Sequence, residues 1–183
     1  MMRRTILTVA MACTSLVMTA PASARNPMVG GAAMYPTRNI VQNAVNSKDH
    51  TTLVAAVKAA GLVDTLSGKG PFTVFAPTNA AFAKLPAGTV ETLVKPENKA
   101  TLTKILTYHV VPGRITAQQI ATMAAKHGGT ATLKSVEGEN LMFRKDGGGW
   151  SVIDEKGGKA RITIPNVMQS NGAIHVVDAV LMP

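Results

Sequence analysis

Two of the four histidines in this sequence open the same tripeptide, and they are the residues best suited to chemistry. His109 begins His-Val-Val in YHVVPGRIT, from Tyr108 to Thr116, and His175 begins it again in NGAIHVVDAVLMP, from Asn171 to Pro183. An imidazole can ligate zinc or copper, or serve as a general base near neutral pH. A metal site needs three or four convergent ligands, usually with a short-spaced pair among them. His50, His109, His127 and His175 supply no such pair, so His109 and His175 would have to meet across strands. A hydrolase would place a nucleophile beside the base. Asp178 is positioned to orient His175, but neither G-x-S-x-G nor S-x-x-K occurs, and Ser67, Ser135, Ser151 and Ser170 fall in or beside predicted turns and strands. In both tripeptides the histidine alternates with apolar neighbours, as on a half-buried strand, where one backbone or carboxylate partner satisfies a neutral ring. The expectation is framework: His109 and His175 inside the fold, Asp178 structural, and no catalytic residue, metal or cofactor.

Other local signals read the same way. Ser67-Gly68-Lys69-Gly70 has the glycine and lysine of a phosphate loop but not the G-x-x-x-x-G-K-[ST] spacing that wraps successive amides around a phosphate. It reads as a turn. Thr78 and Asn79, inside TVFAPTNAAF, can each accept from the free amides of a following helical turn, an interaction worth about 1 kcal/mol. Both are read as structural motif residues.

The elements that must position these residues change character midway. Asp49 is placed to cap a helix in which Leu53, Val54, Val57 and Ala60 recur at helical spacing, with Gly61 ending it. Leu93, Val94, Leu102, Ile105 and Leu106 mark further amphipathic turns broken by Pro96. Phe72-Thr73-Val74-Phe75 is rich in strand formers. After about Ala131 the period shortens to two: ATLKSV, ENLMFRKD, GWSVID and ARITI are strand-sized runs separated by glycine turns, an antiparallel meander. Asn171-Gly172 predicts a type I′ hairpin between PNVMQS and AIHVVDAVLM.

The chain begins with Met1-Met2-Arg3-Arg4, continues uncharged and apolar from Thr5 to Thr19, and reaches Ala22-Ser23-Ala24. That order is a secretory signal, cleaved after Ala24, which predicts a secreted or periplasmic protein with no transmembrane anchor in its mature form. Cys13, the one cysteine, lies inside the removed part, so disulfide and thiol chemistry are not expected of the mature chain. A lipoprotein reading of Cys13 is disfavoured because Ala10 stands three positions before it in place of leucine. Residues 25–38 are Gly/Pro/Ala-rich and are expected to be a flexible lead-in to a domain over 39–183. The formal charge of +9 drops to +7 when Arg3 and Arg4 leave. Residues 39–134 carry ten Lys/Arg against four Asp/Glu, a field that favours anionic envelope polymers or acidic partner surfaces. Nucleic acid is not expected, because few aromatics are present and none interleaves with a basic run. The alternative function is a small-ligand carrier for lipid or glycan. It would have a pocket between helices and sheet, with His109, His175 and Asp178 supplying polarity and some of the ten methionines supplying an adaptable wall. A His-based enzyme or metal-binding protein ranks below it.

TVFAPTNAAF (Thr73 to Phe82), Tyr108-His109, IPNVMQSNG (Ile164 to Gly172) and the closing AIHVVDAVLMP occur in an order and spacing that resembles the fasciclin domain from Asn39 to Pro183. Small secreted bacterial single-domain members are the most similar type. The resemblance implies an α+β fasciclin-like fold, the helix-rich first half packed on an antiparallel β-sandwich or wedge. It also implies a non-enzymatic role in cell adhesion or extracellular interaction through exposed loops. Partner contact is then expected at Asn166, Val167 and Met168 and around Tyr108 and His109, which match the family's tyrosine-histidine motif. The partner would be an extracellular or envelope protein or glycan. Animal members linked to integrins carry an Asp-Ile pair where this chain has Asn166-Val167. Asn166 lacks the carboxylate that would complete a receptor's metal site, and no Arg-Gly-Asp occurs, which argues against an integrin-type contact.

Overall fold

A computed structural model of the protein describes residues 26–183; the expected signal segment and Cys13 lie outside them. Two short strands, β1 (Met28–Val29) and β2 (Ala32–Ala33), pair antiparallel at the start. Six helices follow: α1 (Ile40–Ala44), α2 (Thr51–Ala60), α3 (Val63–Ser67), α4 (Asn79–Ala83), α5 (Thr89–Leu93) and α6 (Lys99–Tyr108), with strand β3 (Phe72–Pro77) between α3 and α4. Strand β4 (Val110–Pro112) and helix α7 (Ala117–Lys126) lead into the second half, made of β5 (Thr130–Lys134), β6 (Asn140–Asp146), β7 (Gly149–Ile153), β8 (Lys159–Gln169) and β9 (Gly172–Val177).

The seven strands from β3 onward form one mixed sheet in the order β4-β3-β9-β8-β7-β6-β5. The meander β5 to β9 is antiparallel throughout. The sheet as a whole is not, because β9 lies parallel to β3 with Phe75 opposite His175. A parallel pair needs a long crossover, and everything from α4 to β8 serves as one. The two outer strands also approach each other, with Val136 N–H donating to the Val110 carbonyl at 2.7 Å. The sheet therefore curls into a nearly closed wedge.

Period-two alternation on the central strands gives the domain two cores. Val74, Ala76, Ile174 and Val176 face the first-half helices and pack with Leu53, Val57, Leu102 and Leu106. Phe75 and Val177 face the other way, into a second cluster with Phe143, Leu141, Val152 and Ile120 of α7. Phe75 and Phe143 meet at 5.2 Å between centroids.

Residues 26–38 are part of this fold, which corrects the expectation of a flexible lead-in. Val29 and Met34 are buried in the first core. The buried Asn43 of α1 ties the segment down: its Oδ1 accepts from Tyr35 N–H at 3.1 Å, and its Nδ2 donates to the Tyr35 carbonyl and to Gln169 Oε1. A Gly/Pro-rich composition hid two apolar anchors, Val29 and Met34, and a tie from Tyr35 to Asn43, eight residues further on.

Capping also departs from expectation. Asp49 falls within a 3-10 turn, Lys48–His50, and does not cap α2. Asn79 does that from another element: its Oδ1 accepts from Thr52 N–H at 3.0 Å while its Nδ2 donates to the Lys48 carbonyl and Thr51 Oγ1, each at 2.9 Å. Thr78 is the N-cap of α4, its hydroxyl accepting from Ala81 N–H at 3.2 Å. Gly61 ends α2 at φ 73°.

The β8–β9 hairpin is present, but its turn is shifted by one residue from the type I′ expectation. Gln169 pairs with Gly172, so Ser170 and Asn171 are the turn residues, and neither has positive φ. Asn171 is there for its side chain. Its Oδ1 accepts from Ile40 N–H at 3.0 Å, and its Nδ2 donates to the carbonyls of Leu66 at 2.8 Å and Gly68 at 2.9 Å. One amide thus joins α1, α3 and the hairpin. Asn171→Ala should cost roughly 3 kcal/mol, at about 1 kcal/mol per net hydrogen bond. Urea unfolding measures it, and a loss near zero would mean that water replaces all three bonds.

Candidate functional site

The two His-Val-Val copies flank a single strand. Phe75 N–H of β3 donates to the His109 carbonyl at 2.9 Å on one side, and Phe75 is in register with His175 on the other. The rings are held separately. His109 is 2% exposed; its Nδ1–H donates to the Ile105 carbonyl at 2.8 Å and its Nε2 accepts from Leu181 N–H at 3.0 Å. His175 is fully buried and stacks on Phe75 at 5.4 Å; its Nε2–H donates to the Ile115 carbonyl at 2.9 Å, and its Nδ1 accepts from Asn166 N–H at 3.3 Å. Each ring is therefore a neutral tautomer with both nitrogens engaged by main chain. Burial pushes the pKa of His109 down to about 4 and lowers that of His175, because desolvation disfavours the cation.

Neither ring has a serine partner or a carboxylate orienter. Asp178 Oδ1 accepts from Arg161 N–H at 2.8 Å, and the carboxylate lies 3.6 Å from Lys84 Nζ, pinning β8 to the end of β9. The one serine–histidine contact among the described residues is Ser47 Oγ to His50 Nδ1 at 2.9 Å, and both residues are buried, at 1% and 3% exposure. No substrate reaches that pair. His127 is the exposed residue that ends α7.

Burial corrects part of the expected contact surface. Tyr108 is fully buried, its hydroxyl donating to the Asn140 carbonyl at 3.1 Å and accepting from Glu155 N–H at 3.3 Å. Desolvation raises its pKa to about 12. Tyr108, His109 and Val167 have no surface for a partner, and the apolar neighbours that made them look like strand or helix positions are the reason. They brace the surface from beneath. Asn166 is exposed and Met168 half-buried.

Asn166 belongs to a bulge, and Met168 follows it, back in register opposite Ala173. The β8–β9 register shifts between Ile162 and Ile164 and again between Ile164 and Val167, so Pro165 and Asn166 stand out from the sheet. Asn166 is the one non-glycine residue at positive φ among the described residues, at 59°, a conformation asparagine tolerates better than most side chains. Two hydrogen bonds hold it. Its N–H reaches His175, and its Oδ1 accepts from Ala117 N–H at 2.8 Å, adding a second cap to α7, whose own capping box is Thr116 with Gln119. The strain of the bulge is thus countered from inside by the framework histidine and from beside by a helix terminus.

Sequence reasoning missed Asp154, which is 2% exposed. Its Oδ1 accepts from Lys156 N–H at 3.1 Å and Gly158 N–H at 2.6 Å, and its Oδ2 accepts from Met182 N–H at 3.1 Å. It closes the β7–β8 turn and ties down the C-terminal segment. The signal was the order Asp-x-x-Gly-Gly, an Asx turn.

The pocket expected between helices and sheet is present but nearly closed. Val57, Leu66, Val74, Leu106 and His109 are among its lining residues, Lys58 stands at its wall, and its volume is about 40 Å³, against roughly 300 Å³ or more for a typical ligand site. His175 and Asp178 are not on its wall. Met34 and Met123 pack into different cores, and Met142 is exposed on β6, so these three share no groove.

The fold and this surface define a class: a helix-and-sheet module in which the rings of His109 and His175 are held by main chain and an irregular loop is displayed outside. The chain belongs to the fasciclin domain family, whose model matches residues 48–183. Protein sll1483 of Synechocystis sp. is 50% identical over 160 residues, covering 87% of this chain and 81% of that protein. The cell surface glycolipoprotein MPB83 of Mycobacterium bovis is 34% identical over 161 residues, covering 87% of this chain and 62% of its own length. The fold matches a FAS1 domain pair from the insect cell adhesion molecule Fasciclin I with a TM-score of 0.70 at 18% identity, over 80% of this chain. This chain spans 51% of that pair. No helix among the described residues is long and apolar enough to cross a membrane.

Proposed function

We propose that this protein is an exported, non-enzymatic interaction module of the cell-adhesion type, and that it meets an extracellular or envelope partner at the Pro165-to-Met168 stretch. The observation that carries the reading is the double register shift that displays Asn166 at a strained position held by two hydrogen bonds. A preorganised loop loses little conformational entropy on binding. The relationship to a cell surface glycolipoprotein supports the setting.

Asn166→Gly separates contact from scaffold. Glycine removes the side chain yet adopts φ 59° without strain, so stability should move by no more than about 1 kcal/mol. Binding to an isolated envelope fraction and to immobilised extracellular matrix should fall at least about tenfold, equivalent to ~1.4 kcal/mol, with a similar fall for Met168→Glu. Unchanged binding by both folded variants removes the bulge from the contact surface.

A further inference from the structure

Ser67-Gly68-Lys69-Gly70 lacks the spacing to cradle a nucleotide, but the fold sets it against a second cation. Arg114, exposed in the loop between β4 and α7, donates from Nη2 to the carbonyls of Gln169 and Ser170, both at 3.2 Å. Those bonds fix the guanidinium while its Nη1 and Nε keep no acceptor within the described residues. Lys69 is exposed and joins no ion pair there. Lys69, Pro71, Arg114, Ser170 and Asn171 line one open cleft of about 370 Å³ with no carboxylate on its wall.

The cleft is rich in uncommitted donors. The Ser170 hydroxyl has no partner among the described residues, and neither do the main-chain N–H groups of Lys69 and Gly70. The Asn171 amide, by contrast, is fully used behind the wall. Two cations and a hydroxyl on the wall of one opening form a complement to an oxyanion, and a fixed guanidinium is the best single group for carboxylate or sulfate.

We propose that this cleft binds the carboxylate or sulfate group of an acidic glycan, with Arg114 and Lys69 neutralising the charge and Ser170 donating to it. An anionic bilayer is the weaker fit, since headgroup recognition uses clusters of four to eight cations. A peptide partner would call for an apolar anchor pocket, and Pro71 is the one apolar residue on the wall. The open side suits a group pendant on a polymer, and the excess of ten Lys/Arg over four Asp/Glu in residues 39–134 draws such a polymer in. The inference is independent of the bulge, since neither Asn166 nor Met168 lines the cleft.

The full chain, titrated calorimetrically at low salt with oligogalacturonate and with sulfated dextran oligosaccharide, should bind at least one of them and ignore unsulfated dextran. Lys69→Gln and Arg114→Gln should each weaken that binding about tenfold or more, the ratio that ~1.4 kcal/mol represents. The Lys69 side chain makes no bond among the described residues, so its variant remains decisive if Arg114→Gln loosens the hairpin. Lys126→Gln, at the exposed end of α7, should leave glycan binding unchanged. Three results would overturn the proposal: no binding to either acidic oligosaccharide, an equal loss with Lys126→Gln, or capture by phosphatidylglycerol vesicles alone with the same dependence on Lys69.

Discussion

Alanine in place of Gly172 should leave a chain that does not reach its native fold. Gly172 opens β9 directly opposite Phe72 of β3, and a Cβ there would overlap the Phe72 carbonyl oxygen while lying 2.9 Å from its carbon and 3.0 Å from its nitrogen. All three are backbone atoms, at the first pair of the β3–β9 ladder, so no side chain can swing aside. Relief requires separating the parallel pair that both cores share. The cost should be about 4 kcal/mol or more, at the severe end for single substitutions, and a domain of ordinary stability has only about 5–15 kcal/mol to lose. Gly88→Ala is the matched control: its φ is 80° but nothing lies within 4 Å of the added carbon, so the loss should be about 1 kcal/mol. Soluble yield and circular dichroism decide the matter. A Gly172→Ala variant that melts cooperatively near the parent temperature would mean that the strands can part cheaply.

Acid should weaken the protein well before its carboxylates titrate. His109 in the native state has its pKa lowered to about 4 from an ordinary 6.5. The neutral ring is the form the fold holds, so stability is full above pH 6.5. It declines as pH falls from there towards 4, where the unfolded chain takes up a proton and the native chain does not. By pH 5 the loss is about 2 kcal/mol, and it approaches roughly 3 kcal/mol below pH 4. His50 and His175 are shifted in the same direction by burial. For a domain of this size, 2 kcal/mol corresponds to a fall in Tm of about 4–8 °C between pH 7.5 and pH 5. His109→Gln should start from a lower Tm and show a flatter profile, since the titrating group is gone. Equal Tm values at pH 7.5 and pH 5 in the parent would show that the ring is not neutral and enclosed.

Much of this architecture is legible in the residues. Alternation around His175 predicted a strand there, and the turn glycines after Ala131 predicted the meander, whereas His109 is the C-terminal cap of α6, one residue before β4. What the sequence does not carry is which strands pair across a long crossover, so β3 beside β9 is invisible to any local pattern. The same limit explains the errors of role. Tyr108 and His109 look like display residues by resemblance, yet their exposure depends on α6 ending against the second core. Asn79 and Asn171 each carry a strong local signal, a cap and a turn, and the structure uses both amides for remote backbone instead. At the bulge the local signal is Pro165 followed by Asn166. Nothing nearby announces that His175 and Ala117 will hold it.

The last regular strand to be synthesised, β9, lies in the middle of the sheet, hydrogen-bonded on both flanks to strands that began about ten and about a hundred residues earlier. Neither core can seal until that strand has left the ribosome, and contacts so distant along the chain form slowly. A polypeptide emerging from the N-terminal side is therefore kept loose during translation. Until then the earlier segments have no finished core to settle into.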